Sequence, residues 1–333
     1  MRGGSGVSGP ALADPTTRWT DLGKRVASAV ILAPLALTCL WVGGTPFQIL
    51  IVLAAGGVAV EWVWLCGQRV SRVSGGIVVV GVLAASVCTT QGYALAGLGA
   101  VGGVAVLVFG LAVSGSGTVE SPPPLEGGGW GEGAVPETLQ PPSQSPTNPS
   151  PQPPPSRGGG DIQRQSPLWL PLGLPYVGLC AIALIWLRAD PAAGRANLLF
   201  LLLLVWASDI GAYLAGRLLG GPRLAPSISP GKTWSGAAGG LVAAVAAGLA
   251  CAFVVQPPDS PLRVVCLAAG LGIIAQAGDL AESRIKRHFG VKDSGHLIPG
   301  HGGLLDRLDA VLAVAPVAAV LALFAGPGVA LWQ

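Results

Sequence analysis

Apolar runs about as long as a membrane is thick alternate with short polar segments along most of the chain. A bilayer core needs roughly 20 apolar residues per helix, and nine runs come near that length, the third being short and rich in glycine. We therefore predict an all-α, polytopic integral membrane protein with about nine transmembrane helices. The predicted spans are residues 26–43, 46–66, 75–89, 93–113, 168–187, 197–216, 234–255, 262–281 and 308–325.

The composition also favours a membrane protein. Charged residues make up 11% of the 333 residues and hydrophobic residues 51%, whereas a soluble domain usually carries about 25% charged residues. The six cysteines lie in or at the ends of apolar runs and form no CxxC pair. This spacing is typical of small buried side chains rather than of a zinc site or a disulfide framework. We expect a lipid bilayer around the protein and no nucleic-acid partner.

A segment rich in proline, glycine and serine, residues 114–167, separates the fourth predicted span from the fifth. It has no apolar period that could build a core, so we predict a disordered cytoplasmic linker. The linker would follow a cytoplasmic tail (residues 1–25) and an N-terminal four-helix membrane bundle (26–113). A C-terminal five-helix catalytic membrane domain (168–333) would come after it.

The distribution of Lys and Arg predicts the orientation of the chain. With a cytoplasmic N-terminus and alternating loops, 16 of the 19 Lys and Arg residues fall inside, and only Arg188, Arg195 and Arg263 fall outside. Cytoplasmic loops are enriched in these residues, so the asymmetry favours nine spans and a cytoplasmic N-terminus. No convincing cleavable signal peptide precedes the first span, which we interpret as a retained anchor.

One polar stretch, residues 283–309, contrasts with this apolar background. It reads SRIKRHFGVKDSGHLIPGHGGLLDRLD and holds five of the 19 Lys and Arg residues, all three histidines and three carboxylates. Ionisable residues next to membrane-spanning segments are costly to keep unless they have a function. We therefore predict that this stretch forms the active site of an enzyme.

Two upstream segments carry further candidate residues. Asp209 lies near the inner end of the sixth span, where an acid more often has a function; the alternative is an acid paired with Arg217. Ser229, Lys232 and Thr233 form a donor-rich loop before the seventh span, which suits a phosphate at a helix N-terminus. The alternative for this loop is an ordinary turn and helix cap.

Carboxylates at the ends of spans are candidate metal ligands. Asp279 shares one side of a helix with Glu282 and Lys286, and Asp306 shares a face with Asp309 at the entry to the last span. Separated carboxylates beside several cations suit Mg²⁺, which takes one or two carboxylates and completes its shell with substrate phosphates. Lys and Arg would neutralise a transferring phosphoryl group. The alternative is an ion-paired loop that only sets the topology.

The polar stretch resembles the signature of the phosphatidate cytidylyltransferase family, also called CDP-diacylglycerol synthases. That signature reads S-x-hydrophobic-K-R, four residues, K-D-x-G, then P-x-H-G-G-x-x-D-R-x-D. Every fixed position is present: Ser283, Lys286, Arg287, Lys292, Asp293, Gly295, Pro299, His301, Gly302, Gly303, Asp306, Arg307 and Asp309. The resemblance is strong over residues 168–333 and general over the N-terminal spans.

The resemblance implies transfer of CMP from CTP to phosphatidic acid, which gives CDP-diacylglycerol and pyrophosphate at the cytoplasmic face of the bacterial inner membrane. It implies Mg²⁺ held by Asp279 and Asp306, a second cation such as K⁺ with Asp309 and Asp209 as further ligands or support, and a homodimer. The residues expected to bind phosphates are Lys232, Lys286, Arg287 and Lys292. Further substrate contacts are expected from Ser229, Thr233, Asp293, His301 and Arg307.

The chain departs from the family pattern at Ser235, where S-P-x-K-T-x-E-G usually has a glutamate. Loss of that acid either weakens a metal or nucleotide contact or is offset by Glu282. Two alternatives to an active enzyme therefore stay open. One is a catalytically impaired member of the family, and the other is an ion-coupled transporter that uses the same acids as a cation site.

Overall fold

The computed structural model describes residues 34–67, 71–115, 168–295, 297 and 302–333. Within them the chain is almost entirely helical, and a single short hairpin interrupts the helices. The elements are α1 (described over residues 34–42), α2 (Gly44–Leu65), α3 (Arg72–Thr90), α4 (Ala94–Gly115), α5 (Trp169–Ala189), α6 (Gly194–Leu219), β1 (Arg223–Ala225), β2 (Ser229–Thr233), α7 (Trp234–Val255), α8 (Pro261–His288) and α9 (Leu305–Ala325).

Among the described residues, eight helices, α2 to α9, are long and apolar enough to cross a membrane. The chain is therefore a multi-pass membrane protein of the all-α class, as the hydropathy pattern predicts. The short third predicted span is confirmed as α3, whose first turn is capped by Ser71 accepting from the backbone N–H of Ser74 at 3.0 Å. The predicted tail and nearly all of the predicted linker lie outside the described residues, as does the first half of the first span.

Two elements differ from the hydropathy prediction at the polar end of the bundle. The predicted span 262–281 is only part of α8, which continues to His288. Its last two turns stay helical because they carry an ion pair between Glu282 and Lys286, one turn apart. The donor-rich loop before α7 is an antiparallel hairpin of β1 and β2. The segment SPGKT has no alternating apolar pattern, so the sequence did not predict a strand there.

Helix α5 is the centre of the bundle. In its most apolar stretch 67% of the residues are buried, against 17–39% in the other seven spans, and it packs on α2, α3, α4, α6 and α9. It carries Pro175, and α9 carries Pro316. Prolines are tolerated within membrane helices when neighbouring groups satisfy the freed backbone carbonyls.

Glycines let α6 and α7 approach each other closely. A methyl group on Gly240 would lie 2.8 Å from the carbonyl oxygen of Ser208, and one on Gly236 would lie 2.9 Å from that of Ala212. Small residues at such crossings are typical of membrane helix pairs. The close approach brings the polar last turns of α6 beside the first turn of α7.

The helix ends that carry the polar residues meet on one side of the bundle. The C-terminal ends are those of α2, α6 and α8, and the N-terminal ends are those of α5, α7 and α9. Contacts confirm the grouping: Trp169 at the start of α5 packs on His288 at the end of α8, with ring centres 4.8 Å apart. The predicted alternation of loops is therefore present, and the polar stretch, the hairpin and the end of α2 share one side.

Candidate active site

The hairpin places two of the predicted residues. Thr233 is the N-cap of α7, and its hydroxyl accepts from the backbone N–H of Gly236 at 3.1 Å. The alternative interpretation of this segment as a turn and helix cap is thus correct for Thr233. Ser229 begins β2, and Lys232 precedes the cap with its ammonium group directed to α8.

A cavity of about 450 Å³ lies between the hairpin, α6, α7 and α8. On its wall the Nζ atom of Lys232 lies 2.5 Å from Oδ2 of Asp279, and both side chains are about one-third exposed. Asp209 lines the cavity from α6. Arg217 donates from Nη1 to the hydroxyl of Tyr213 at 2.7 Å, so the described contacts do not include the alternative pairing of Arg217 with Asp209.

A second polar cluster lies at the junction of α8 and α9. Lys286 places its Nζ atom 2.8 Å from Oε2 of Glu282 and 2.8 Å from Oδ1 of Asp306. Asp306 also accepts from the backbone N–H of Ser294, at 3.1 Å, and from that of Gly303, at 3.1 Å. The carboxylate of Asp306 therefore joins the two halves of the signature. The positive charge of Lys286 is compensated by carboxylates on two sides.

Three carboxylates from α6, α8 and α9 converge beside the cavity. The Asp309 carboxyl lies against that of Asp279 and interacts electrostatically with Asp209. Negative charges that lie close together destabilise one another. The ammonium group of Lys232 offsets part of this repulsion through its contact with Asp279.

The donor set fits the expected magnesium ion only with a substrate present. No group of three or more His, Cys, Asp or Glu side chains in the described ranges is already arranged to hold a metal ion. Mg²⁺ commonly takes only one or two protein carboxylates, with phosphate oxygens and water as its remaining ligands. Asp279, with Asp309 against it and Lys232 at the same wall, offers such a partial shell.

The remaining predicted residues lie around this core. Arg287 donates from Nε to the carbonyl of Ile228 in the hairpin turn, at 3.3 Å, and so ties the end of α8 to the hairpin. Lys292 and Asp293 are exposed on the turn after α8, and Arg307 is exposed on the first turn of α9. His301 lies outside the described residues, so its role in substrate binding stays a prediction.

The residue that departs from the family pattern has a local role. Ser235 donates to the carbonyl oxygen of Gly220 and contacts the Thr233 hydroxyl at 3.0 Å. It therefore ties the end of α6 to the start of α7. Glu282, which could have offset the missing acid, is paired with Lys286.

Two buried polar residues of the site carry no role predicted from the sequence, although Glu61 falls within the general family resemblance of the N-terminal spans. Glu61 of α2 is fully buried and accepts from the backbone of the loop before α9. Tyr176 of α5 packs on Trp62, and its buried hydroxyl has no hydrogen-bond partner among the described residues, within electrostatic reach of Glu282 and Asp309. A carboxylate inside an otherwise apolar span was the available signal for Glu61.

An apolar cavity of about 520 Å³ lies on the other side of α9. Helices α1, α2, α5, α6 and α9 line it, almost wholly with aliphatic and aromatic side chains. Arg307 is the one charged residue in its lining. Arg307 follows Asp306 directly, so the first turn of α9 separates a polar cluster from an apolar cavity.

Comparison with known proteins identifies similar chains. The chain is 52% identical over 162 residues to the phosphatidate cytidylyltransferase of Brucella suis, which is 48% of this chain and 60% of that protein. It is 39% identical over 148 residues to that of Bacillus subtilis, 44% of this chain and 55% of the relative. The protein of the same name in Haemophilus influenzae is 42% identical over 152 residues, 43% of this chain and 51% of the relative.

These matches span about half to three-fifths of the length of the curated relatives. A model of the cytidylyltransferase family covers more of the chain, residues 23–325. That match includes every described helix and both walls of the polar cavity. It also includes the complete signature from Ser283 to Asp309. The chain belongs to the cytidylyltransferase family.

Proposed function

We propose that the protein is a phosphatidate cytidylyltransferase, which transfers CMP from CTP to phosphatidic acid and releases pyrophosphate. The observation that carries the proposal is the meeting of two lysine–carboxylate pairs at one end of the bundle, Lys232 with Asp279 and Lys286 with Asp306. Such pairs suit a triphosphate that enters together with a divalent cation. A relative that bears this name is 52% identical to the chain over 162 residues.

The proposed chemistry asks the protein mainly for positioning and charge neutralisation. A phosphate oxygen of phosphatidic acid attacks the α-phosphorus of CTP, the bond to the β-phosphate oxygen breaks, and pyrophosphate leaves. The attacking oxygen is already anionic, so no protein base is needed. Lys232 and Lys286 bind the phosphates on either side of the reacting phosphorus and neutralise the charge of the leaving pyrophosphate.

Asp279 and Asp306 are the proposed magnesium ligands, and Asp309 and Asp209 support them or hold a second cation. When bound, Mg²⁺ supplies Lewis-acid stabilisation of the phosphate oxygens. Asp279 lies in the acid group that a cation would stabilise. Asp306 is oriented by the backbone N–H groups of Ser294 and Gly303.

The apolar cavity supports a lipid as the second substrate. Its α2 wall runs from Phe47 to Val58, a distance of about 16 Å at the rise of an α-helix. Arg307 at the mouth suits the phosphate of an anionic lipid. An acyl chain in the cavity would place its headgroup at the first turn of α9, beside the polar cluster.

We also propose on which side of the membrane the site lies. CTP comes from the cytoplasm, so the end of the bundle that carries the hairpin and the polar stretch faces the cytoplasm, in the bacterial inner membrane. The positive-inside distribution of Lys and Arg supports this orientation. A homodimer stays part of the proposal on the strength of the family resemblance.

Turnover by the purified full-length protein tests the proposal. In detergent micelles or nanodiscs that contain phosphatidic acid, with CTP and Mg²⁺, we expect pyrophosphate release and formation of CDP-diacylglycerol, measured by mass spectrometry. Chelation of divalent cations with EDTA should stop both. Asp279→Asn and Asp306→Asn should each lower kcat by about 100-fold or more, because each removes a carboxylate proposed to hold the magnesium ion that stabilises the phosphate oxygens.

Asp190→Asn provides the matched control, since it makes the same change at the opposite end of the bundle. Unchanged turnover in both site variants would contradict the residue assignment. A folded wild-type sample that forms no CDP-diacylglycerol would contradict the proposed function and favour an impaired family member. Ser235→Glu, assayed in parallel, shows whether the departure from the family pattern limits the rate.

A further inference from the structure

Glu61 is a fully buried carboxylate in an otherwise apolar helix. Its Oε1 atom accepts from the backbone N–H of Leu304 at 2.8 Å, and its Oε2 atom accepts from that of Leu305 at 2.7 Å. The hydroxyl of Ser294 lies 3.3 Å from the same Oε2 atom. Both oxygens are therefore bound to residues of two short segments before and at the start of α9, 294–295 and 303–305, which we call the signature loop, although more than 230 residues separate Glu61 from these partners.

The position explains how a carboxylate can be buried here. The two N–H groups belong to the first turn of α9, where backbone donors have no partner within the helix and the helix dipole is positive. A buried acid without such donors would cost several kcal/mol. Among the described residues Leu304, the N-cap of α9, makes no side-chain cap of its own, so Glu61 supplies the cap from another helix.

Two glycines of the signature pack directly against Glu61. A methyl group on Gly295 would lie 2.9 Å from its Oε1 atom, and one on Gly303 would lie 2.8 Å from its Oε2 atom. Real side-chain carbons essentially never approach so closely. The absence of a side chain at Gly295 and Gly303 therefore leaves the space that the Glu61 carboxylate occupies.

The same loop positions also hold Asp306. Ser294 donates its backbone N–H to Asp306 and its hydroxyl to Glu61. Gly303 donates its N–H to Asp306, while the next two N–H groups bind Glu61. The loop is thus clamped between two carboxylates, one from α2 and one from α9, and the second of these binds Lys286.

We propose that Glu61 is a positioning residue, which holds the signature loop so that Asp306 and Lys286 keep the geometry that the reaction needs. This inference rests on the proposed function for its kinetic consequences, but its structural part does not. It makes the N-terminal bundle a contributor to the active site. Trp62 reinforces the contact, because its Nε1 donates to the carbonyl of Trp169 on α5 at 3.0 Å.

Kinetics and hydrogen exchange of Glu61→Gln in the full-length protein test the inference. The amide keeps the size of the side chain but turns an N–H donor towards the backbone donors. We expect kcat to fall by about 100-fold, as for a misplacement of about 1 Å, while the KM for CTP changes less than about threefold, because the Lys232 cavity is untouched. Amide exchange at Leu304 and Leu305, followed by mass spectrometry, should accelerate at least tenfold in the variant.

Two further variants separate positioning from general stability. Ser294→Ala removes one of the three contacts, and we expect a smaller loss of kcat in the same direction. Asn197→Ala removes a comparable buried hydrogen bond from a side chain to a distant backbone N–H group at the opposite end of the bundle, where Asn197 accepts from the N–H of Leu331 at 2.9 Å. It should lower thermal stability without changing kcat or the KM for CTP.

Each possible result either supports or overturns the role proposed for Glu61. A Glu61→Gln protein with wild-type kcat, or with unchanged exchange at Leu304 and Leu305, would overturn the inference. A variant that only loses melting temperature, as Asn197→Ala should, would assign Glu61 a purely structural role. If the wild type shows no CMP transfer, the proposed function fails, and the exchange data alone decide whether Glu61 holds the loop. If Glu61→Gln does not fold, Ser294→Ala gives the same comparison.

Discussion

At the scale of single residues, Lys286 is the most constrained cation of the site. Its side chain is 13% exposed, and the carboxylates of Glu282 and Asp306 lie on either side of it at 2.8 Å. Removing one partner from such a buried group leaves charge uncompensated, which is strongly destabilising. Its loss should therefore affect both stability and catalysis, and the two effects can be separated.

We expect Lys286→Ala to lower the free energy of unfolding by about 3 kcal/mol and to lower kcat by at least about 100-fold. Adding Glu282→Gln removes the repulsion that remains between the two carboxylates, so the double variant should regain melting temperature but not activity. Thermal unfolding and pyrophosphate release measure the two quantities. Recovery of activity in the double variant would mean that Lys286 does not act on the substrate.

Residue spacing predicted only the local contacts of the site. The pair of Glu282 and Lys286 follows from their separation of four residues along α8. The pair of Lys232 and Asp279 joins a hairpin to a helix, and no periodicity relates them. The contacts of Glu61 could not be predicted from residue types, because its partners are backbone N–H groups, which every residue except proline carries.

At the scale of elements, helix α2 has two different faces. Ala54 lines the apolar cavity, while its neighbour Leu53 is 68% exposed on the outside of the bundle. Narrowing the cavity should therefore affect a long acyl chain and spare a short one. The two adjacent positions allow the same substitution on the two faces of one helix.

We predict that Ala54→Phe lowers kcat/KM for long-chain phosphatidic acid by at least about tenfold, since the added ring fills part of the cavity and even one methylene in an apolar pocket has an effect of that order. Activity on a six-carbon analogue should be unchanged. Leu53→Phe is the control and should leave both substrates unaffected. An equal loss on both lipids in Ala54→Phe would show that the cavity does not hold the acyl chain.

The sequence predicted helices better than it predicted their ends. Apart from the C-terminal end of α8, apolar runs located the described spans to within a few residues, because the hydrocarbon core sets their length. The extension of α8 to His288 depends on ion pairs that lie beyond the hydrocarbon. The hairpin depends on the backbone pairing of Arg223 with Thr233, in a segment whose proline and glycine disfavour strands.

At the scale of the whole molecule, the two ends of the bundle have different tasks. One end holds the cavity and the charged clusters. The other end fastens the C-terminal segment: Asp190 accepts from the N–H of Gly328, and Trp332 is fully buried against Phe200 with ring centres 5.0 Å apart. The opposite end therefore fastens the C-terminal segment to the bundle. Protonation of its acidic side chain, Asp190, should change the stability of the fold and leave catalysis unaffected.

The contribution of Asp190 to the stability of this end of the bundle should depend on pH. Partial burial raises the pKa of its carboxyl, but hydrogen bonds from the backbone N–H groups of Ala193, Gly328 and Ala192 outweigh it, and the pKa lies below its usual value of 3.8. A lowered pKa means that the carboxylate stabilises the folded state above pH 3.8 and that this contribution is lost as the pH falls through the lowered pKa.

We therefore expect a constant difference in melting temperature between wild type and Asp190→Asn from pH 8 to pH 5, with the wild type higher. The difference should shrink below about pH 4. Differential scanning fluorimetry over this range measures it, and turnover at pH 7 should be equal in the two proteins. A difference that already changes between pH 8 and pH 6 would require another titrating group.

The grouping of helix ends on two sides of the bundle was predictable once the spans were known, because successive loops must then alternate between the two sides. The meeting of α2 with α9 was not, because hydropathy contains no information on which spans are neighbours. The hydrogen bonds of Glu61 show that neighbours in the bundle are far apart in the chain.

That contact limits how the protein can be recombined. The segment between α4 and α5 is where the front of one family member could be joined to the back of another. A hybrid made there would inherit its α2 carboxylate from one parent and the two fitted glycines, Gly295 and Gly303, from the other. The halves are therefore not interchangeable modules, and exchanges within the family should keep α2 and the signature loop from the same parent.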